Sequence, residues 1–474
     1  MPKPAFQAPK GTRDLYPLEA ARRRWLLERW RRVSIRHGFD EIDGPTFEPA
    51  DLYAVKSGEG ILSELFQAFS GKDPAERDAV QQTGRAPYAL RPEFTPTLAR
   101  MYAAQAASLP KPTRWFMAGP FFRAEKPQRG RLREFLQWNA DILGDDSEQA
   151  DADVFELLVD FLSACGLTPE DATFRWSHRS AIRTLIRRID DDESHEQSWF
   201  AWLDAFAKRS PTQRAEAAYA FGATEDQVLG ITAIVSGRDP AQAAAAREEL
   251  QRRGETHLIE QQRQKIASEF QDFESDLFTA ASEVHAIRAQ LKDRSLTEWF
   301  RLDPQIVRGL AYYTGTVFEV IADGERALAG GGRYDNLVEL FGGPPTPAVG
   351  FGMGDVVLTN VLQNKSLMPS DRDLLDEIGA RPDVFLITPH AELDATLASL
   401  LSTLRRRGLH ARRTTKTTRN LGKLLKDAAN IHAHYAVIVE SETTVTLKNL
   451  DTSDEHKNVP AADIETLCRP TSTA

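Results

Sequence analysis

FFRAEKPQRGRLREFLQWNADILG, residues Phe121 to Gly144, reads as two strands joined by a charged loop, and the rest of the chain can be placed around it. Side chains alternate across a strand, so Phe121, Arg123 and Glu125 share one face of the first, and Phe135, Gln137, Asn139 and Asp141 share one face of the second. Phe122, Trp138, Ala140 and Ile142 take the opposite face. Such a hairpin packs one face and offers the other to a ligand. The connecting KPQRGR, residues 126–131, holds three cations and one glycine. Arginine presents a rigid fork of donors to phosphate oxygens, so Arg123 and Arg131 beside carboxylates suggest an anionic, phosphate-bearing ligand. A solvated hairpin with surface ion pairs fits the same residues equally well, because charged hairpin loops are common.

The 474 residues suffice for two to four domains, each with its own core. Hydrophobic residues at 41% and charged residues at 27% exclude a disordered chain, and no run of eighteen apolar residues could span a bilayer. The start, MPKPAFQAPKGTRDLYP, has no apolar signal region, so export is not expected. Cys165 and Cys468 are the only cysteines; they argue against a disulfide framework or a thiolate metal site and fit a reducing, cytoplasmic setting. A net charge of -10 opposes general polyanion binding. Yet Arg405 to Lys426 carries nine Lys and Arg residues and no acid, a local excess that can hold a nucleic-acid backbone or form a solvated helix face.

In chain order, residues 18–37 form an amphipathic helix by spacing, with Trp25, Leu26, Trp30 and Val33 near helical intervals and Gly38 as its end. GFDEIDGPTFEP then turns extended, and Pro45 restricts it to a strand end or sheet edge, a subunit contact by placement. YALRPEFTPTLARMYAA pairs a short strand with a helix starting near Thr95 or Pro96, where threonine capping and first-turn proline both suit. Glu93 just before it can bind a substrate ammonium or pair with Arg91. Residues 151–164 are helical, and roughly 175–300 are helix-rich and read as an insertion. RGLAYYTGTVFEVI, from Arg308, and GGGRYDNLVELFGG, from Gly330, bring back strand character, and AVGFGMG, residues 348–354, leads into a helix near Asp355. Residues 363–380 read as a linker. DVFLITP, LHARR, YAVIVE and TVTLKNL then alternate with helices over 391–406 and 420–429, giving a compact α/β domain with a partly parallel sheet.

Together KGTRDLYP, GFDEIDGPTFEP, LRPEFTPTLARM, FFRAEKPQRGRLREF, RGLAYYTGTVFEV and GGGRYDNL resemble, in order, the signatures of the histidyl-tRNA synthetases, class II aminoacyl-tRNA synthetases, over nearly the whole chain except the insertion. The resemblance implies an α+β catalytic domain, an antiparallel sheet flanked by helices, with a helical insertion and a C-terminal α/β anticodon-binding domain. The implied division is 1–170 and 301–365 for the catalytic parts, 171–300 for the insertion, 366–380 for the linker and 381–474 for the anticodon-binding domain. It further implies a homodimer formed through GFDEIDGPTFEP, with ATP, histidine and tRNA(His) as substrates and Mg²⁺ assisting. By the same resemblance Arg123 contacts the α-phosphate and carboxylate, Arg131 the distal phosphates, Glu125 the adenine side, and Arg308 stabilises the transition state from the opposite side. Glu93 and Gln137 match residues that hold the amino group; Asp141, Tyr313 and Tyr334 match those around the imidazole. Gln128, Arg412, Arg413 and Lys416 are the implied tRNA contacts. Taken alone, Tyr313 and Tyr334 read as core aromatics.

Three positions depart from the family pattern. Asp141 stands where glutamate is usual, Ala311 where an acid is common, and Val357 where class II enzymes carry an arginine against the γ-phosphate. Loss of one charge-assisted contact is worth roughly 1.5 to 3 kcal/mol, so another cation, Arg131 or Arg333, is expected to substitute. The competing reading is a non-catalytic paralogue, a histidine-sensing regulatory subunit of ATP phosphoribosyltransferase. Val357 favours it; the C-terminal domain and the RGLAYY segment oppose it. A nucleic-acid-binding module without catalysis explains the basic run alone.

Overall fold

The computed structural model describes residues 6–57, 59–206, 209–236, 282–304, 306, 313–322 and 324–468. The chain forms two units, one of residues 1–14 and 29–367 and a second of residues 15–28 and 368–474.

The first unit is built on an eight-stranded sheet. Its strands are β1 (Asp40–Glu41), β5 (Thr113–Phe122), β6 (Glu134–Leu143), β7 (Thr173–His178), β8 (Phe300–Leu302), β9 (Thr316–Ile321), β10 (Ala327–Arg333) and β11 (Ala348–Gly354). They lie in the order β1-β5-β6-β11-β10-β9-β7-β8. Apart from β1 against β5 and β8 against β7, which are parallel, every pairing is antiparallel. The Phe121 to Gly144 hairpin thus forms β5 and β6, with Phe121 opposite Phe135. A small three-stranded sheet, β2 (Phe47–Pro49), β4 (Tyr88–Leu90) and β3 (Gln67–Ala68), lies beside helices α2 (Ala50–Ser57), α3 (Pro74–Thr83) and α4 (Thr95–Gln105) in the chain. The extended GFDEIDGPTFEP segment supplies β1 at the sheet edge and β2, as the proline placement requires. Helix α4 starts at Thr95 with Pro96 in its first turn, but Phe94 occupies the cap position and no side chain caps it, so threonine capping is not used.

One face of the sheet is sealed by aromatic packing. Trp138 of β6 stacks on Trp30 at 6.0 Å and meets Phe161 and Phe351 edge-on at 5.3 and 4.7 Å. Trp30 lies in α1 (Pro17–Arg36), and Phe161 in α5 (Glu148–Ala164). The Trp138 indole Nε1 donates to Ser34 Oγ at 3.0 Å, so its one polar atom is satisfied in the core. Farther along, Phe155 of α5 packs on Phe174, Phe300 and Phe318, from β7, β8 and β9.

Two boundaries differ from the sequence expectation. Thr173–His178, counted within the 171–300 insertion, is a strand of the main sheet, paired with β9 far along the chain. Its alternating Phe174, Trp176 and His178 are buried, and long-range pairing gives a short strand no local signature. The expected linker contains a helix, Asp371–Glu377, capped by Ser370 and tied to Arg22 and Trp25 by bonds of 2.9 and 2.8 Å.

The second unit carries a five-stranded sheet, β13 (Ala411–Arg413), β12 (Val384–Ile387), β14 (Tyr435–Val439), β15 (Thr444–Asn449) and β16 (Glu455–Pro460), in that order. β12 pairs parallel with β13 and β14, and the last two pairings are antiparallel, the mixed sheet expected from the sequence. Helices Asp394–Arg406 and Leu421–Asn430 supply Leu401, Leu404 and Leu424 to its two apolar layers.

Because Trp138 fixes the packed face under the central strand, Trp138→Ala is expected to lower the unfolding free energy of the first unit by about 3–5 kcal/mol. Denaturant titration followed by far-UV circular dichroism checks this.

Candidate active site

A cleft of about 750 Å³ opens on the other sheet face, lined by Glu93, Arg123, Glu125, Arg131, Gln137, Asp141, Tyr313 and Tyr334; Gln128 does not line it, and Arg412, Arg413 and Lys416 belong to the second unit. The cleft floor follows from register. Gln137, Asn139 and Asp141 of β6 lie opposite Gly354, Gly352 and Gly350 of β11. Gly352 and Gly350 in turn face Gly330 and Gly332 of β10. A Cβ on Gly350 would stand 2.0 Å from Asp141 Oδ1, and one on Gly352 would stand 2.7 Å from Gln137 Nε2. The alternate glycines are therefore the room in which the polar side chains of β6 lie. Gly330 to Gly332 make no turn; Gly331 lets the sheet close, since its Cβ would fall 2.1 Å from Gly350 O.

At one end of the cleft, Tyr334 donates its hydroxyl to Asp141 Oδ1 at 2.5 Å, with both residues buried. Burial raises the Asp141 carboxyl to about 7; the Tyr334 hydrogen bond and the Lys56 charge act against that rise. Tyr313 lines the same wall, its phenol shifted up first by burial and then by the charges of Glu93 and Asp141. Gln137 donates to Asn139 Oδ1 at 2.9 Å, and Asn139 donates to Phe351 O at 3.3 Å, which sets both amides. Glu93 is paired with Lys56 of α2, not with Arg91. Arg91 is buried elsewhere, donating to the carbonyls of Pro120 and Gly44 at 2.9 Å each.

The other end is cationic. Arg123 donates from Nε to Pro92 O at 3.1 Å, and its guanidinium lies 5.1 Å from the Phe135 ring centroid. Arg131 is paired with Glu125. Gln128 and Arg131 bridge each other across the loop. The loop is held from below by the KGTRD segment: Gly11 O accepts from Arg133 N at 2.8 Å, and Arg13 reaches Asp355 at 2.8 Å. Asp355 Oδ1 also accepts from Leu136 N at 2.8 Å, so one buried carboxylate joins the N-terminal segment, β6 and the helix Asp355–Asn364. Val357 lines the cleft from that helix.

Arg333 does not substitute for a cation at Val357. It points to the opposite face, where Nε meets Asp151 Oδ2 at 3.0 Å and the Nη atoms donate to Asp145 O and Ser147 O at 2.9 and 2.8 Å. Arg131 does line the cleft. Arg308 and Ala311 lie outside the described residues. Lys56, Glu319 and Arg326 also line the cleft and were not singled out from the sequence. A lone lysine on a short helix and an arginine at a hairpin turn carry no local signal.

Asp141 has a testable signature. Its carboxyl titrates at 3.8 in an open chain and at about 7 when folded, so across that window the folded protein holds a proton the unfolded chain has released. Its contribution to stability is full below the lower value and is lost as pH rises through the upper one. Asp141→Asn is therefore expected to flatten the loss of stability between about pH 4 and about pH 7 by on the order of 4 kcal/mol, read as denaturant midpoints across that range.

The histidyl-tRNA synthetase family model matches residues 11–355. The histidine–tRNA ligase of Haloarcula marismortui is 34% identical over 466 residues, 95% of each chain, and that of Thermococcus kodakarensis is 32% identical over 460 residues, again 95% of each. In fold, the crystal structure of a Nostoc histidyl-tRNA synthetase aligns with a TM-score of 0.70 at 22% identity, covering 98% of this chain and all of that one. With a matched family model over most of its length and full-length relatives above 30% identity, this chain belongs to the histidyl-tRNA synthetase family.

Proposed function

We propose that the cleft activates L-histidine with ATP and then transfers the histidyl group to the 3′ end of tRNA(His). The observation that carries this reading is the convergence on one cleft of a buried Asp141–Tyr334 pair with Glu93 at one end and Arg123 with Arg131 at the other, in a member of this family. In the first step a carboxylate oxygen of histidine attacks the α-phosphorus of ATP, the bond to the bridging oxygen breaks, and pyrophosphate leaves. In the second, a ribose hydroxyl of the terminal adenosine attacks the acyl carbon and AMP leaves. Neither step needs a protein nucleophile, so the residues align the reactants and offset developing charge.

Arg123, oriented by Pro92 O and the Phe135 ring, takes the α-phosphate and the histidine carboxylate. Arg131 takes the distal phosphates once released from Glu125, which turns to the adenine side. Arg308 is assigned the opposite side of the transition state from its motif alone. Glu93 and Gln137 receive the ammonium, for which Glu93 exchanges its Lys56 partner. Asp141, Tyr334 and Tyr313 surround the imidazole; a pocket of buried polar groups rejects isosteres lacking ring nitrogens by about 10⁴-fold or more. Among the described residues no group of three His, Cys, Asp or Glu is placed to hold a metal. A Mg²⁺ carried in on the phosphates and water, with Glu319 on the cleft floor, would supply neutralisation of phosphate charge.

The second unit is assigned to tRNA through its basic run. Arg412 and Arg413 are exposed on β13, and Lys416 is paired with Asp427. Arg419, by contrast, is held by both oxygens of Asp394. Gln128 in the loop is assigned to the acceptor end. Pairing of two copies through the GFDEIDGPTFEP segment, residues 38–49, is supported by Phe47, which is 55% exposed on β2. Cys165 and Cys468, buried and in no disulfide, support a reducing compartment such as the cytoplasm.

The deciding measurement is ATP–pyrophosphate exchange with purified protein and each of several amino acids. Histidine-dependent exchange is expected, whereas histidine binding without exchange would instead indicate the regulatory reading. Neutralising Arg412, Arg413 and Lys416 together is expected to weaken tRNA charging by at least about tenfold while exchange survives, since each lost phosphate contact weakens backbone binding. For the dimer, Phe47→Asp is expected to halve the mass found by sedimentation equilibrium; a wild-type monomer would remove the assignment.

A further inference from the structure

We propose that Arg326, at the turn between β9 and β10, is a distal-phosphate-binding residue of this cleft and supplies the positive charge that Val357 does not. The proposal rests on the reading of the cleft as an ATP site.

Three observations place Arg326 there. First, the residue lines the cleft at its cationic end. A Cβ at Gly130 would have Arg326 Cδ at 3.5 Å and Val357 Cγ2 at 3.4 Å, so the Gly130 turn, Arg326 and Val357 converge on one small space. An arginine at either 326 or 357 would thus present its guanidinium to the same region.

Second, Arg326 makes no hydrogen bond or ion pair among the described residues, unlike the neighbouring cations. Lys56 is held by Glu93 and Arg131 by Glu125, and Arg333 is spent on Asp151 across the sheet. Arg123, bonded to a carbonyl, is the other cleft cation without a carboxylate partner among the described residues. A charge left uncompensated beside two neutralised ones attracts an incoming polyanion most strongly.

Third, the turn that carries Arg326 is anchored to the loop it faces. The adjacent Glu325 has a side chain only 9% exposed and accepts from Arg129 Nη2 at 2.5 Å and from Asn364 Nδ2 at 3.4 Å. One acidic residue therefore ties the β9–β10 turn to the 123–133 loop and to the helix bearing Val357. The next residue is left to face the cleft. This fixes the backbone that carries Arg326 before any ligand arrives, which lowers the ordering cost of binding.

The chemistry selects the polyphosphate and not the adenine or ribose, because a guanidinium fork matches phosphate oxygens. The discriminating experiment is equilibrium binding of ATP and of AMP to the full-length wild type and to Arg326→Ala, alongside pyrophosphate exchange. Arg326→Ala is expected to weaken ATP binding and raise KM for ATP by about ten- to a hundredfold, leaving AMP binding and KM for histidine within about twofold. Arg326→Lys, which keeps the charge, is expected to lie between. Adding Val357→Arg to Arg326→Ala is expected to recover most of the ATP affinity, since both side chains meet at Gly130. Equal weakening of ATP and AMP would mean a merely structural role, and unchanged ATP binding would mean no role; either overturns the proposal. A wild type without histidine-dependent exchange would instead overturn the ligase reading itself, a separable outcome.

Discussion

A methyl group on Gly350 would sit 2.0 Å from the Asp141 carboxylate, and the cleft depends on that clearance. Strands β6, β11 and β10 lie side by side with every second residue facing the cleft. On β6 those residues are Gln137, Asn139 and Asp141; on its neighbours they are glycines. Removing the side chains from two adjacent strands leaves a trough in which the polar groups of the third lie flat against the sheet, and the same absence allows backbone to approach backbone. The opposite face has no such trough, because Trp138, Ala140 and Phe351 fill it against Trp30 and Phe161. One alternation thus produces both a packed core and a binding floor.

Electrostatics divide the trough. Glu93 with Lys56, and Glu125 with Arg131, are internal ion pairs along it. Within each pair the two charges compensate each other, while Arg123 and Arg326 have no carboxylate partner among the described residues. Arg123 is fixed differently, by a carbonyl and an aromatic ring, so no acid has to be displaced for its forked end to meet an anion. Asp141 is the exception at the far end: buried with a tyrosine hydroxyl against it, its carboxyl is held near neutrality by desolvation.

Arg333 shows how strand geometry limits what a motif can do. It neighbours Tyr334, which reaches Asp141, yet it pairs in register with Val349 on the face that also carries Gly331 and Phe351. Its guanidinium accordingly turns to Asp151 of α5 and ties that helix to the sheet. No rotamer brings a side chain through the sheet, so proximity in sequence to the cleft conferred no access to it.

The amino-acid sequence determined the alternation, and with it the faces of β6, the packed role of Trp138 and the cleft role of Gln137, Asn139 and Asp141, because side-chain direction along a strand is a local property. Helix α1 and the mixed sheet of the second unit were legible for the same reason, as periodic apolar patterns. Tertiary structure alone decided that Thr173–His178 joins the main sheet, that Glu93 pairs with Lys56 and not Arg91, that KGTRD braces the 123–133 loop, and that Arg326 meets Val357 at Gly130. Each of these joins residues far apart in the chain through pairing, register or a turn, and the energy of such contacts comes from neighbours that no local window contains.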